Sequence, residues 1–246
     1  MKTHAWQRTL GSWLIFPVVY LCIYNANINL LWIILSFLVY LSISITVSVG
    51  YHRLFNHNYF TCNKFWHRLF GLIGSFSLNL SPVQWTAIHT VHHKFADTPL
   101  DSYESSWKYF FRIADIPNIK PTKNELRMMR DPFHRFLINY SFLLSTSIAA
   151  ILLFFGLEPF LFLYALPVTA YLVVSGLHTI FSHTKNGSID RWYMEFILPM
   201  SGEWLHKEHH SNTRSMKWNT KPYHFDLGAY IISIIKTHDK SITRTI

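Results

Sequence analysis

The sequence predicts an all-α membrane protein: four transmembrane helices arranged as two hairpins, with a cytoplasmic helical cap that carries a metal site. Three observations predict it. Two long stretches are almost free of charge, the Lys and Arg residues avoid the middle of both, and three tight histidine groups lie at the same side of those stretches. Hydrophobic residues make up 50% of the chain and charged ones only 14%, against roughly 25% charged in a soluble domain.

From Thr9 to His52 there are 44 residues without Lys, Arg, Asp or Glu, and from Phe136 to Thr184 there are 49, broken only by Glu158. One crossing of the ~30 Å hydrocarbon layer takes about 20 helical residues, so each stretch crosses, turns and returns. Turn residues stand near both midpoints, Asn25-Ala26-Asn27-Ile28-Asn29 and Gly156-Leu157-Glu158-Pro159. The expected spans are about 9–24, 28–50, 136–156 and 159–182, with a cap built from 51–135 and 183–246 into one domain. The first span lacks a small-residue cleavage site near its end and is read as retained.

All 22 Lys and Arg fall outside the two hairpin turns. Inner-side loops carry the excess of such residues, so both termini and the histidine groups are expected on the cytoplasmic side. The net charge of +9 then belongs to one face, suited to anionic lipid, an anionic substrate head or an acidic protein. No nucleic-acid recognition motif accompanies it. Cys22 and Cys62 are expected at different depths and form no CxxC, which argues against a disulfide or a thiolate site.

Eight of fifteen histidines form the three groups: His52 with His57, His89 with His92 and His93, and His206 with His209 and His210. HxxHH occurs twice, where random scatter of fifteen histidines gives roughly 0.05 matches. On a helix, positions i, i+3 and i+4 share a face, so each group can aim three rings together. A single tetrahedral zinc would leave half of them idle. A two-metal, all-imidazole centre without Cys fits dinuclear non-haem iron with oxygen chemistry, copper remaining chemically possible. His178 is a ninth candidate and His183, five residues on, its competitor. A five-residue step turns a straight helix by about 140°, so either the helix ends between them or only one binds. Glu203, Asp97 and Asp101 are candidates to orient ligand rings by accepting their second N–H.

The boxes resemble those of the integral-membrane fatty acyl desaturases, in particular the stearoyl-CoA, delta-9 type and its bacterial relatives. His52-Arg53-Leu54-Phe55-Asn56-His57 with Tyr59 is similar to that family's HRLxxH box. Trp85, His89, His92-His93-Lys94 and the following Asp97 and Asp101 are similar to its second box, and Gly202-Glu203 through His206, His209 and His210 resembles GExxHxxHH. The resemblance runs from about Tyr51 to Asp226. It implies a helical membrane fold, two iron ions held by the boxes and one further histidine, for which His178 is the better fit. It also implies an asparagine four residues before that histidine, where this chain has Val174.

The resemblance further implies O2-dependent insertion of a cis double bond at delta-9 of a fatty acyl chain carried on CoA, a carrier protein or a lipid, within membrane lipid. No flavin, dinucleotide or haem motif is visible, so electrons must come from a separate donor such as cytochrome b5 or ferredoxin with its reductase. The rival readings are a membrane hydroxylase or ketolase, which shares the first hydrogen removal, and a metal or proton transporter. Transporter histidines sit near mid-membrane, whereas the first three spans here hold none.

Overall fold

The computed structural model describes residues 5–96, 98, 101, 120–184 and 187–239, with side chains from Ile15 to His238. Helix α1 (Ala5–Asn25) contains Pro17, and α2 (Leu30–Ile45) follows a four-residue turn. Asn29 caps α2 by accepting the Trp32 N–H at 3.1 Å, one of the donors a helix start leaves without a partner. α2 does not end where the apolar run does. It continues as a π-helical segment, Thr46–Asn56, so His52 and His57 belong to the end of a long apolar helix and its cap instead of a loop beyond it.

Strand β1 (Phe60–Cys62), α3 (Lys64–Phe76) and α4 (Pro82–Phe95) come next. α4 starts with a reciprocal cap between Ser81 and Gln84 and with Pro82 in its first turn. Past the second box, α5 (Lys123–Arg130) leads into α6 (Pro132–Phe155). Gly156, at φ 139°, turns the chain where a side chain would be strained. The last long apolar helix comprises α7 (Leu157–Phe160), a π-helical turn at Leu161–Ala165 and α8 (Leu166–Ser182).

Three helices are long and apolar enough to cross a bilayer: Leu30–Asn56, Pro132–Phe155 and Leu157–Ser182. α1 adds the shorter apolar segment Ile15–Asn25. Leu31, Ile34, Leu143, Ile151 and Phe154 point outward from the bundle, as lipid-facing residues do. The two hairpin turns meet, because Glu158 Oε1 accepts the Asn27 N–H at 3.2 Å. Both turns therefore sit at one end of the bundle and the histidines at the other.

Beyond α8 the chain forms the pair β2 (His183–Thr184) with β3 (Gly187–Ser188), a 3₁₀ turn at Trp192–Phe196, α9 (His206–Ser211) and α10 (Leu227–Ile235). Strand β4 (Lys236–Asp239) pairs antiparallel with β1, Thr61 opposite His238. These short pairs are additions to the expected all-helical cap. Under it, the fully buried Tyr51 donates its hydroxyl to the Leu80 carbonyl at 3.0 Å, and its ring occupies the space a Cβ on Gly74 would need.

Candidate metal centre

The nine nitrogens of interest come from four places: the π-helical end of α2, α4, α9 and the residue after α8. They form two groups. His52, His57, His89, His93 and His209 make the first, His92, His183, His206 and His210 the second, and within each group the donor atoms lie within 4.8 Å of one another.

Local backbone explains who goes where. In the π-helix the turn closes at i+5, and the His57 N–H donates to the His52 carbonyl at 3.0 Å. The five-residue step that would separate two rings on an α-helix thus brings these to 4.9 Å between centroids. The two HxxHH helices behave differently from the expected three-ring fan. On an α-helix the i+4 ring lies about 40° to one side of i and the i+3 ring about 60° to the other. Each helix accordingly sends its i and i+4 rings to one group and its i+3 ring to the other. His89 and His93 of α4 join His209 of α9, and His206 and His210 of α9 join His92 of α4.

In the first group four Nε2 atoms form a closed ring. The edges are His52 to His89 2.9 Å, His89 to His93 2.9 Å, His93 to His209 2.9 Å and His209 to His52 3.0 Å. These contacts are not a hydrogen-bonded cycle, because each Nε2 has a single in-plane direction, holding either a proton or a lone pair. The centre of a flat square with this edge lies about 2.1 Å from each corner, the length of an imidazole–metal bond. His57 Nε2, buried without a hydrogen-bond partner, supplies a fifth donor. In the second group His92 and His210 approach to 3.1 Å and His206 and His183 to 2.9 Å between Nε2 atoms. The donor sets fit one divalent transition metal each.

Carboxylates orient two of the rings. His52 Nδ1–H donates to Glu203 Oε2 at 2.8 Å, and His92 Nδ1–H to Asp101 at 2.8 Å, which leaves both Nε2 lone pairs aimed inward. Asp97, the third expected carboxylate, lies outside the described residues. Burial holds the His57, His89, His92, His206 and His209 rings well below the ordinary imidazole range, and His93 is drawn down to about 2 by burial and then by neighbouring His92 and His52. These rings are therefore neutral and able to ligate at physiological pH. Burial raises the Glu203 carboxyl, with Arg53 opposing.

His178 does not enter either group. Its Nε2–H donates to the Glu203 carbonyl at 2.8 Å, and His183 stands in the second group instead. The reason is the helix end: α8 stops at Ser182, and His183 is extended (φ −109°, ψ 133°), which swings its ring toward His206. Counted from His183, the position four residues earlier is Thr179 and not Val174. The Thr179 hydroxyl donates to Ser175 O at 3.1 Å, and Thr179 lines a cavity of about 50 Å³ bordered by His89, His183 and His206.

Sequence reasoning did not find Arg53, Trp218 and Asp226. The Arg53 guanidinium stacks on Trp218, 3.4 Å from its ring centroid, and Trp218 packs 4.5 Å from His209 and 5.0 Å from His52 between centroids. The HRL triplet was the only available signal.

No family model matches the chain. Individual proteins do. An acyl-CoA 5-desaturase of Anemone leveillei is 27% identical over 209 residues, covering 77% of this chain and 64% of that protein. An sn-1 stearoyl-lipid 9-desaturase of Synechocystis is 27% identical over 215 residues, 78% of this chain and 65% of the relative. An sn-2 palmitoyl-lipid 9-desaturase of Nostoc is 26% identical over 223 residues, 83% and 78%. The chain thus spans slightly less than two thirds of the first two proteins. Over most of its own length it is similar to fatty acyl desaturases.

Proposed function

We propose that this chain is an oxygen-dependent fatty acyl desaturase with two iron ions, one in each histidine group. The observation that carries the reading is the exchange of rings between α4 and α9, which builds two all-imidazole donor sets side by side. His52, His57, His89, His93 and His209 would hold one ion and His92, His183, His206 and His210 the other. Four spans with both termini and the boxes on the cytoplasmic side complete the picture.

Bound iron supplies, with O2, an oxidant able to remove hydrogen from an unactivated methylene, which side chains alone cannot do. The protein's part is positioning and exclusion. Glu203 and Asp101 hold protons at Nδ1 of His52 and His92 and so fix ring direction. Trp85 and Trp218, both packed against His52, close the centre against water, with Tyr51 packed behind Trp85. The cavity between the groups, walled also by Val47, Tyr171 and Met200, is where the reacting carbons of an acyl chain would lie, since small misplacement costs rate steeply.

The relatives carry 5- and 9-desaturases and both acyl-CoA and lipid substrates in their names, and delta-9 insertion is our assignment from the box resemblance. The exposed basic residues Lys207, Arg214, Lys217 and Lys221 near the third box suit an acidic electron donor such as cytochrome b5 or ferredoxin. The test is expression in a desaturase-deficient host with mass-spectrometric location of double bonds. New O2-dependent monounsaturated chains are expected. Hydroxylated lipid alone, or no change in acyl chains, overturns the reading.

A further inference from the structure

The first box has a second cavity against it, of about 270 Å³, enclosed by Phe55 together with residues of α3, α5 and the start of α6; His67, Arg127, Met128, Asp131 and His134 line it. His134 is 1% exposed, and both its ring nitrogens are buried with no hydrogen-bond partner. A neutral imidazole offers one donor and one acceptor, and leaving both unmade inside a protein is costly. The ring cannot simply turn away. Phe55, His67 and Phe133 hold it at centroid distances of 5.3, 5.1 and 5.6 Å.

Charge in the cavity is unbalanced. Asp131 is already engaged by Arg68 at 3.0 to 3.1 Å and by the Phe133 N–H at 2.9 Å, so the Arg127 guanidinium, which among the described residues donates to the neutral Asn124 at 2.8 Å, is a surplus cation. The volume falls below the roughly 300–1,000 Å³ of sites that enclose whole small molecules, and part of the wall is polar. The cavity also lies where α6 begins, just before the uncharged run from Phe136, at the level of a membrane interface.

We propose that this cavity binds the phosphate-bearing head group of the acyl carrier, with Arg127 on the phosphate and His134 on an adjacent polar atom. The proposal rests on the desaturase reading for the identity of its occupant. Phosphopantetheine, shared by CoA and carrier proteins, and the glycerophosphate of a membrane lipid both have this chemistry.

The test titrates purified full-length protein in detergent with coenzyme A and, separately, with glycerol 3-phosphate, by calorimetry. One of the two probes should saturate, and His134→Phe and Arg127→Gln should each weaken it about tenfold. Arg127 is exposed, so its variant keeps the test valid should His134→Phe fail to fold. Binding of neither probe, or unchanged affinity in the variants that fold, overturns the proposal. Double bonds without head-group binding would sink the cavity alone, and head-group binding without double bonds would sink the desaturase reading alone.

Discussion

Arg53 and Asp226 form an ion pair with no exposed surface on either side chain, Arg53 Nη2 donating to both carboxylate oxygens at 2.9 and 3.1 Å. Arg53 also donates to the Ser48 hydroxyl and to Ser201 O at 3.3 Å. Asp226 accepts the N–H groups of Trp218 at 3.1 Å and of Ala229 at 2.9 Å, which starts α10. Desolvating two charges makes such a pair weak evidence for net stability. Its value here is geometric, since it fixes the Trp218 ring against His52 and His209. Glycines make room for it: a Cβ on Gly202 or Gly228 would collide with Asp226 or Arg53.

Asp226→Ala removes the carboxylate nearest the buried Arg53 charge and leaves the guanidinium facing Glu203 at 3.9 Å, a loss of about 3–5 kcal/mol. The variant should unfold at markedly lower temperature in detergent. Thermal unfolding indistinguishable from the parent would mean that the guanidinium has found another partner.

His183 and His178 separate by metal content. His183 carries a donor within 4.8 Å of its partners, whereas His178 Nε2 is committed to the Glu203 carbonyl. Elemental analysis should give about two irons per chain in the parent, close to one in His183→Ala, and about two in His178→Gln. Depletion in the second variant and not the first would return the ninth place to His178.

Much of this was legible from spacing alone, and the exceptions share a cause. His89, His92 and His93, like His206, His209 and His210, come together on i+3 and i+4 offsets, which mean the same thing on any α-helix. Offsets of five do not. His52 to His57 converges through a π-helix and His178 to His183 diverges through a helix end, and neither backbone state has a reliable residue signature. The division of each HxxHH between two foci likewise needed the relative placement of α4 and α9. Arg53 and Asp226 are 173 residues apart, and nothing local connects them.

Asp101 accepts the His92 Nδ1–H, at 2.8 Å from Oδ1 and 3.1 Å from Oδ2. Asp101→Asn keeps the shape but lowers the basicity of the ring, and losses of such partners typically cost 10–100-fold in metal affinity. Dialysis against graded chelator should strip metal from the variant at correspondingly lower chelator concentration. Equal retention would reduce Asp101 to packing.

Glu195 gives a prediction in pH. Its carboxyl is pushed up to about 7 by burial, although it accepts the N–H groups of Met200 at 2.9 Å and Gly202 at 2.6 Å. These bonds shape the turn that delivers Glu203. An acid whose folded value exceeds its unfolded one, about 4.5, contributes stability that is complete below pH 4.5 and is lost as pH rises through 7. Gln at this position has one acceptor for two donors, so Glu195→Gln should be less stable by about 1–3 kcal/mol in the acid range. Because only the parent titrates, the gap in unfolding temperature should narrow between pH 4.5 and 7. A gap that widens over that window would mean the carboxylate ionises freely and is held by the two amides more strongly than burial opposes it.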